Sequence, residues 1–593
     1  MLEVDRGALL PTTRDEMSAR GWREIDVLLV TGDAYFDHAS HGAAVIGRVL
    51  EAAGYRVGLA ARPDWRSTDD FCALGRPALF AGVTAGAVDS QLNNFTADRA
   101  RRRDDAYAPG GAGGGRPSLA TLVYANRIRE AFPGLPVALG GVEASTRRFS
   151  YFDYQSGRIR RSLLVDSRSD ILVYGPGEDA AVEIAHRLAA GRDLQRIAGT
   201  ARLVSRAGFT RLDGDRALPD HDEVAGDPRA LRALAREMER AASPGARGRV
   251  VQRYREGAVV CEPPAQLDAR RLDEIHALPF ARAAHPAYRE PIPAFETVRW
   301  SVISHRGCPG GCSFCALAIH AGRRTVSRSA DSILDEIRAL AARSGFRKTV
   351  TDIGGPTANA WSVAPRDRAQ CERCARPSCL HPRICPNLDT DQTAVVDLLE
   401  RASAIRGVKR VLVASGVRHD LALRSDDLIE ALARRHTGGR LKLAPEHVDP
   451  RVLDRMRKPP IEVFERAERR FLQASRRTGR AQTILPYFIA GFPGCDPRAA
   501  DRVGRWLAAR GQRLEQVQGF VPLPGTRAAA WHAAGRDDDD RPLAIPDLAE
   551  RRRQKRLMTH PPKRSSATRS SAPRSSVTER KRKKSKGNSK RQR

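Results

Sequence analysis

SHRGCPGGCSFCALAIHAGR, residues 304–323, sets three cysteines within eight positions, and the use of those thiols decides how the surrounding chain is read. Cys308, Cys312 and Cys315 form C-x3-C-x2-C. That spacing is too short for disulfides that anchor separate sheets, and it is one thiolate short of a closed tetrahedral zinc site. Three thiolates on a 4Fe–4S cube leave one iron without a protein ligand, and chemistry can take place at that open iron. An apolar run at 299–303 reads as a strand, so the cysteines fall in the loop after it, where an α/β barrel carries its catalytic groups.

From this loop the pattern extends forward. Further strands are expected at 349–353, 410–414, 441–444, 483–489 and 516–521, with helices between them. In SADSILDEIRALAARSG, Ile333, Leu334, Ile337 and Leu340 form one apolar stripe after a Ser329 cap. Six strand–helix units in about 240 residues predict a partial (β/α)6 barrel, since a full eight-unit barrel needs more chain.

Extending backward, short apolar runs at 25–30, 56–60, 78–84, 137–139 and 171–174 alternate with helical patterns. One of these is AAVIGRVLEAAG (43–54), with Val45, Val49 and Leu50 on one face. Such alternation predicts a doubly wound, Rossmann-like parallel sheet whose loops TGDAYFDHASHG, TADRARRRDDAYAPGGAGGG and LGGVEAS line a pocket beyond the strand ends. A polar stretch at 205–295 reads as a linker. The expected division is therefore an N-terminal α/β domain with linker (1–295), the partial barrel (296–535), and a short C-terminal segment with a disordered basic tail (536–593).

The net charge is +31. From 551 to 593 there are 18 Lys and Arg against Glu579, so 31 − 17 leaves +14 for the first 550 residues. Ser-rich and nearly without apolar residues after Met558, this tail predicts a disordered arm able to touch RNA. The first twenty residues lack the apolar core of a signal peptide, and no apolar run reaches the roughly 20 residues of a membrane helix. A soluble cytoplasmic protein with no membrane contact and reduced thiols is expected.

With Phe314 before the third cysteine, the loop resembles the cluster motif of radical S-adenosylmethionine (SAM) enzymes. More narrowly, HRGCPGGCSFCALAIHAGR, DIGGPTAN, ASGVRHDLA, LKLAPEHV, LGGVEASTRR and TADRARRRDDAYAPGG resemble the YgiQ-type radical SAM family over about 25–530. The resemblance implies a 4Fe–4S cluster on Cys308, Cys312 and Cys315, SAM on its open iron, and cleavage to a 5′-deoxyadenosyl radical that abstracts hydrogen from an unidentified substrate. It implies a reductant such as a flavodoxin or ferredoxin. Phe314, Gly354, Gly355, Ser415, Arg418, Gly491, Pro493 and Gly494 are the implied SAM contacts, with Pro356 where the family's glycine motif usually ends in an acid, and with Glu446 and His447 as further candidates at a strand end.

Two other features stand apart. Cys371, Cys374, Cys379 and Cys385, in CERCARPSCLHPRIC, suit a closed zinc site, an auxiliary iron–sulfur cluster or a bare loop, and His381 could replace one thiol. The loop after the first strand has Asp37 and Gly42 at the separation of a cobalamin motif, yet position 39 is Ala. Cobalamin is therefore not expected there, and a polar loop supporting the domain junction is. The remaining Cys72, Cys261 and Cys495 read as small buried hydrophobes. A different class of function, a metal-stabilised nucleic-acid-binding protein with structural cysteine sites, is separated from the enzyme by whether SAM is cleaved.

Overall fold

The computed structural model describes residues 9–562; residues 1–8 and the 563–593 part of the basic tail lie outside the described residues. Among the described residues no helix is long and apolar enough to cross a membrane.

Five parallel strands form the heart of the N-terminal half: Val27–Thr31, Val57–Ala61, Phe80–Thr84, Val137–Gly140 and Ile171–Val173. In space they run second, first, third, fourth, fifth. Side chains along a strand alternate between faces, and the core divides accordingly. Val27, Leu29, Phe80, Ala138 and Ile171 join one apolar cluster with helices Gly42–Ala52 and Glu178–Ala189. Leu28, Val30, Ala81, Val83, Val137 and Leu139 join another with helix Ala120–Ala131. Both faces are covered, which explains why these strands read as apolar runs.

The stretch expected to be a linker is instead structured. Thr200–Ser205 adds antiparallel to Ile171–Val173, and the hairpin Val250–Tyr254 with Gly257–Cys261 extends the sheet further. Between them runs helix Pro228–Ala241, capped by Asp227 and burying Leu231, Leu234 and Met238. Its polar composition comes from the exposed faces of amphipathic elements.

All six strands expected in the second half are present, several of them shorter. Ser301–Ile303 pairs in parallel with Asp352–Gly354, and Thr349–Val350 with Arg410–Val411. Arg440–Glu446 pairs with Thr483–Ala490, which pairs with Gln518–Gly519. Val302, Ile353, Val411, Leu441 and Phe488 share a core with helices that include Ala330–Ala341, where Ser329 caps the helix and the expected apolar stripe is buried.

The basic segment after residue 550 was expected to be disordered, but its first part is a helix, Leu548–Thr559, capped by Asp547. Arg551, Gln554 and Met558 recur at helical spacing and are buried, although charge dominates the composition. Gln554 accepts from Gly491 N at 2.8 Å, and Arg551 donates to Ala97 O at 3.0 Å, so this helix ties the last strands to the N-terminal half.

Candidate active site and cysteine loops

The loop carrying the first cysteines is closed at its base by an antiparallel pair, His305–Arg306 with Val326–Ser327. Cys315 precedes helix Ala316–Ala321 as its N-cap residue and donates its backbone N–H to Cys312 O at 3.1 Å. None of the three thiols is in a disulfide. Cys308 Sγ lies 3.4 Å from Thr357 Oγ1, and Arg418 Nη1 lies 3.7 Å from Cys312 Sγ. Burial pushes the Cys315 thiol up to about 12, with Cys312 and Cys308 adding to the effect. Binding a metal at these cysteines requires release of their protons.

Among the described residues no group of three or more His, Cys, Asp or Glu side chains is arranged to hold a single metal ion.

The expected SAM contacts gather around this loop with unequal freedom. Phe314 packs edge-on against Phe492, with ring centroids 6.2 Å apart, which joins the cysteine loop to the Gly491–Gly494 turn. A Cβ on Gly354 would meet Asp352 and Ser415, and one on Gly355 would meet the His305 ring. Ser415 donates to Asp352, and its N–H bonds the same carboxylate at 3.1 Å. Ser415 is thus engaged by protein. Arg418 is buried and grips Asp420 through Nε at 2.8 Å and Nη2 at 2.9 Å. Burial opposes its charge, but Asp420 and the facing thiols hold its pKa above the usual arginine value. Glu446 sits at a positive φ of 71° with Lys458 Nζ 3.4 Å away, and burial raises its carboxyl pKa. His447 is fully buried, accepts from Asp449 N at 3.0 Å and lies 3.3 Å from Cys495 Sγ. It is a support for its own turn.

Reading motifs one by one missed residues that matter to this arrangement. Asp352 organises Ser415, and Asn359 bonds Arg418 on both sides, accepting from its N–H at 2.8 Å and donating to its carbonyl at 3.1 Å. Asp352 lies within DIGGPTAN, where the glycines carry the resemblance. Buried Gln554 carried no signal at all.

Above the loop lies a cavity of about 500 Å³. It opens beyond the carboxyl ends of four parallel strands, lined by Thr31, Thr84, Gly140 and Tyr174, and its opposite wall is Leu317–Arg324 of the cysteine loop. TGDAYFDHASHG and LGGVEAS line it as expected, whereas the arginine-rich loop between them contributes nothing to the lining. Asp33, completely buried on its wall, is held by Arg116 at 2.7 Å and Ala87 N at 2.6 Å. His41 also lines it, 1% exposed, with its Nε2 3.6 Å from Asp33 Oδ2.

Asp37 is committed elsewhere. It pairs with Arg48 at 2.5 Å and accepts from Ala281 N at 2.7 Å, while His38 contacts Arg282, which reaches Ser301 O at 3.0 Å. The loop thus packs against residues 281–284, from which Arg282 reaches the strand at Ser301. Cys261 and Cys495 are buried as expected; Cys72 is half-buried.

Comparison with known proteins agrees with this geometry. Residues 9–301 match the family profile described as Radical SAM N-terminal, and residues 302–497 match the Radical SAM superfamily. A UPF0313 protein of Rhodopseudomonas palustris is 43% identical over 550 residues, covering 89% of this chain and 81% of that one. The UPF0313 protein YgiQ of Escherichia coli is 40% identical over 587 residues, covering 89% and 79%. Among solved structures, the radical SAM methyltransferase TsrM from Kitasatospora setae, with cobalamin and a [4Fe–4S] cluster bound, shares the fold at a TM-score of 0.51 and 17% identity, over 86% of this chain and 79% of that one. The expectation that cobalamin is absent, drawn from Ala39 and from histidines that fall at 38 and 41, has no support here: a structure that shares the fold holds cobalamin.

Proposed function

The chain belongs to the UPF0313 family of YgiQ and its relatives within the radical SAM superfamily, and on that premise we propose that its substrate is received in the cavity between the N-terminal sheet and the cysteine loop. It is a radical SAM enzyme: with a [4Fe–4S] cluster and SAM it cleaves SAM reductively to a 5′-deoxyadenosyl radical. The cluster, when bound, supplies the low-potential electron for that cleavage.

The residues fit such a group. Cys308, Cys312 and Cys315 hold the cluster as thiolates, and Arg418, fixed by Asp420 beside Cys312, offsets the negative charge their deprotonation creates. Phe314 and the Gly491–Pro493–Gly494 turn, joined through Phe492, form one wall of the SAM site, and the backbone of Gly354 and Gly355 forms another. Ser415 orients Asp352. The short parallel pairs of the second half form a partial (β/α)6 barrel over about 296–535. The N-terminal strands, in the order 2-1-3-4-5, form a doubly wound domain whose ligands sit at the switch point between its first and third strands.

One observation carries the substrate assignment: the cavity's far wall includes the helix Ala316–Ala321 that follows Cys315, so an occupant lies beside the cysteine loop. Water-excluding aliphatic walls there, from Leu29, Val83, Val142 and Ile319, protect a radical from quenching. A second reading has the same cavity take cobalamin, favoured by its place at the switch point and by the buried His41 on its wall. A flavodoxin or ferredoxin would deliver the electron, and residues 563–593 would contact RNA.

Anaerobic reconstitution, EPR and a 5′-deoxyadenosine assay test the activity, and a Cys308→Ser/Cys312→Ser/Cys315→Ser variant that still released deoxyadenosine would sink it. For the cavity, aquacobalamin titration of wild type against Ala138→Phe separates the readings. Binding lost in the variant favours the cofactor; no binding to either leaves the substrate chamber.

A further inference from the structure

The segment 366–388 is inserted between strand Asp352–Gly354 and helix Thr393–Ser403, and a bridge between Pro365 and Leu388 closes its base. It lies over the first cysteine loop. Pro309, Gly310 and Gly311, the three residues between Cys308 and Cys312, are buried, and each meets the insertion. Cys379 donates its backbone N–H to Pro309 O at 3.0 Å, Ser378 Oγ donates to Gly310 O at 2.6 Å, and a Cβ on Gly311 would stand 2.2 Å from Pro377 O. A Cβ on Gly310 would in turn stand 3.4 Å from Cys308 Sγ and 3.8 Å from Cys312 Sγ. Residues 377–379 are thus separated from these two sulfurs by a single turn of chain.

The insertion is anchored by its own small core, where Leu380 and Leu388 are buried with Val363 and Leu421, and Cys379, Ile384 and Cys385 pack against them. All four of its cysteines are free and half-buried. From the other end of the cysteine loop Arg323 donates to the carbonyl of Arg376. The two loops form one packed unit.

The outer face of that unit carries charge of one sign. Residues 373–386 include Arg373, Arg376 and Arg383 and no acidic residue. Arg373 and Arg383 are exposed, and neither side chain has a partner among the described residues. The Arg376 guanidinium bonds only carbonyls, those of His381 at 3.4 Å and Arg383 at 2.6 Å. The acids on either side are engaged: Glu372 pairs with Arg247 and Arg368, and Asp389 with Arg366. At the edge, Asp454 faces His381 at 3.2 Å.

Electron transfer weakens steeply with distance, so a carrier protein has to come close to the cysteine loop. Helix Ala316–Ala321 turns one side of that loop to the cavity assigned to the substrate, and over the turn between Cys308 and Cys312 a carrier arriving from solvent meets the insertion. We propose that the basic face of the insertion, centred on Arg373 and Arg383, is the docking surface for the electron carrier, a small acidic protein of the flavodoxin kind. This rests on the reading of Cys308, Cys312 and Cys315 as the cluster's ligands. Electron-transfer partners meet through small, transient interfaces, and opposite charge steers and orients them. The carrier's reduced flavin gives up one electron and the oxidised cluster takes it up; no bond forms or breaks.

The test compares Arg373→Glu/Arg383→Glu with Arg253→Glu/Arg255→Glu, both in the full chain. The second pair is exposed on the hairpin at the end of the N-terminal sheet and changes the net charge by the same amount. Titrated with oxidised flavodoxin at low salt, the insertion variant should bind about tenfold more weakly than wild type, with the gap closing as salt is added. The hairpin variant should bind as wild type does. Reduced flavodoxin at subsaturating concentration should drive 5′-deoxyadenosine formation about tenfold more slowly in the insertion variant, while dithionite should drive it equally in all three proteins. Equal binding in the three overturns the proposal, and so does equal weakening in the two variants, because net charge alone would then hold the carrier. A dithionite-driven rate that falls together with the flavodoxin-driven one also overturns it, since the arginines would then act on the cluster itself. Flavodoxin binding as expected, with no deoxyadenosine from wild type and dithionite, would sink the enzyme reading and leave the surface standing.

Discussion

Gly311→Ala tests whether the two cysteine loops depend on each other. Gly311 has φ +59°, and a Cβ there would stand 2.2 Å from the carbonyl oxygen of Pro377 and 3.1 Å from Ser378 Cα. Backbone meets backbone, so no side-chain rotation relieves the overlap and the insertion must move off. The positive φ alone costs an alanine about 1 kcal/mol. Displacement also breaks the Cys379 N to Pro309 O and Ser378 Oγ to Gly310 O hydrogen bonds, each worth about 1 kcal/mol. Gly479→Ala is the matched control, with φ +69° and nothing within 4 Å of its Cβ. Hydrogen exchange at the Cys379 amide, read by mass spectrometry of the anaerobic holoprotein, should speed up by about 30-fold in Gly311→Ala, the equivalent of about 2 kcal/mol. In Gly479→Ala it should be unchanged. Iron retention on dilution should fall in the first variant alone. Equal exchange in the two would refute the reasoning, because the strain they share would then account for everything.

Acid should destabilise the folded chain in a defined window. Burial holds His305 at about 4 against 6.5 for the free group, so the unfolded state takes up the proton first and stability is lost as pH falls from about 6.5 toward 4. That amounts to about 2 kcal/mol between pH 7 and 5 for this residue; urea midpoints at both pH values should show it, and a His305→Gln variant with an undiminished pH slope would contradict it. Met558, fully buried beneath the last helix, should cost about 3 kcal/mol when replaced by alanine, measured by urea unfolding; a loss under 1 kcal/mol would mean the helix is not docked in solution. Replacing Arg418 with Gln should slow cluster assembly and SAM cleavage together, because the cation beside Cys312 is removed while its size is nearly kept; cleavage at the wild-type rate would remove Arg418 from the site. Deleting residues 563–593 should flatten the salt dependence of RNA binding, and an unchanged slope in a filter-binding titration would free the tail of that role.

Periodicity located the strands and the helix capped by Ser329, because covered parallel strands and amphipathic helices leave strong patterns in a single sequence. It failed at 205–295 for a related reason: helix Pro228–Ala241 shows an apolar stripe amid arginines and glutamates, and averaged composition hides a stripe. The same averaging hid helix Leu548–Thr559 inside a basic run. In the site, cysteines were legible because their chemistry is bound to their spacing, while Asp352, Asn359 and Gln554 act through contacts with residues distant in sequence and so have no local signature.

The buried charges follow one physical rule. A guanidinium removed from water needs a hydrogen-bonded anion, and this chain usually provides one: Asp420 for Arg418, Asp33 for Arg116, Asp37 for Arg48. Arg323, Arg148 and Arg551 depart from the rule: Arg323 bonds the Arg376 carbonyl, Arg148 bonds the Ser145 carbonyl and lies over the Tyr174 ring, and Arg551 bonds the Ala97 carbonyl and the Tyr154 hydroxyl. A guanidinium is therefore buried in this chain either on a carboxylate or on neutral carbonyls, a phenol and an aromatic face, and the second arrangement recurs at three separate places.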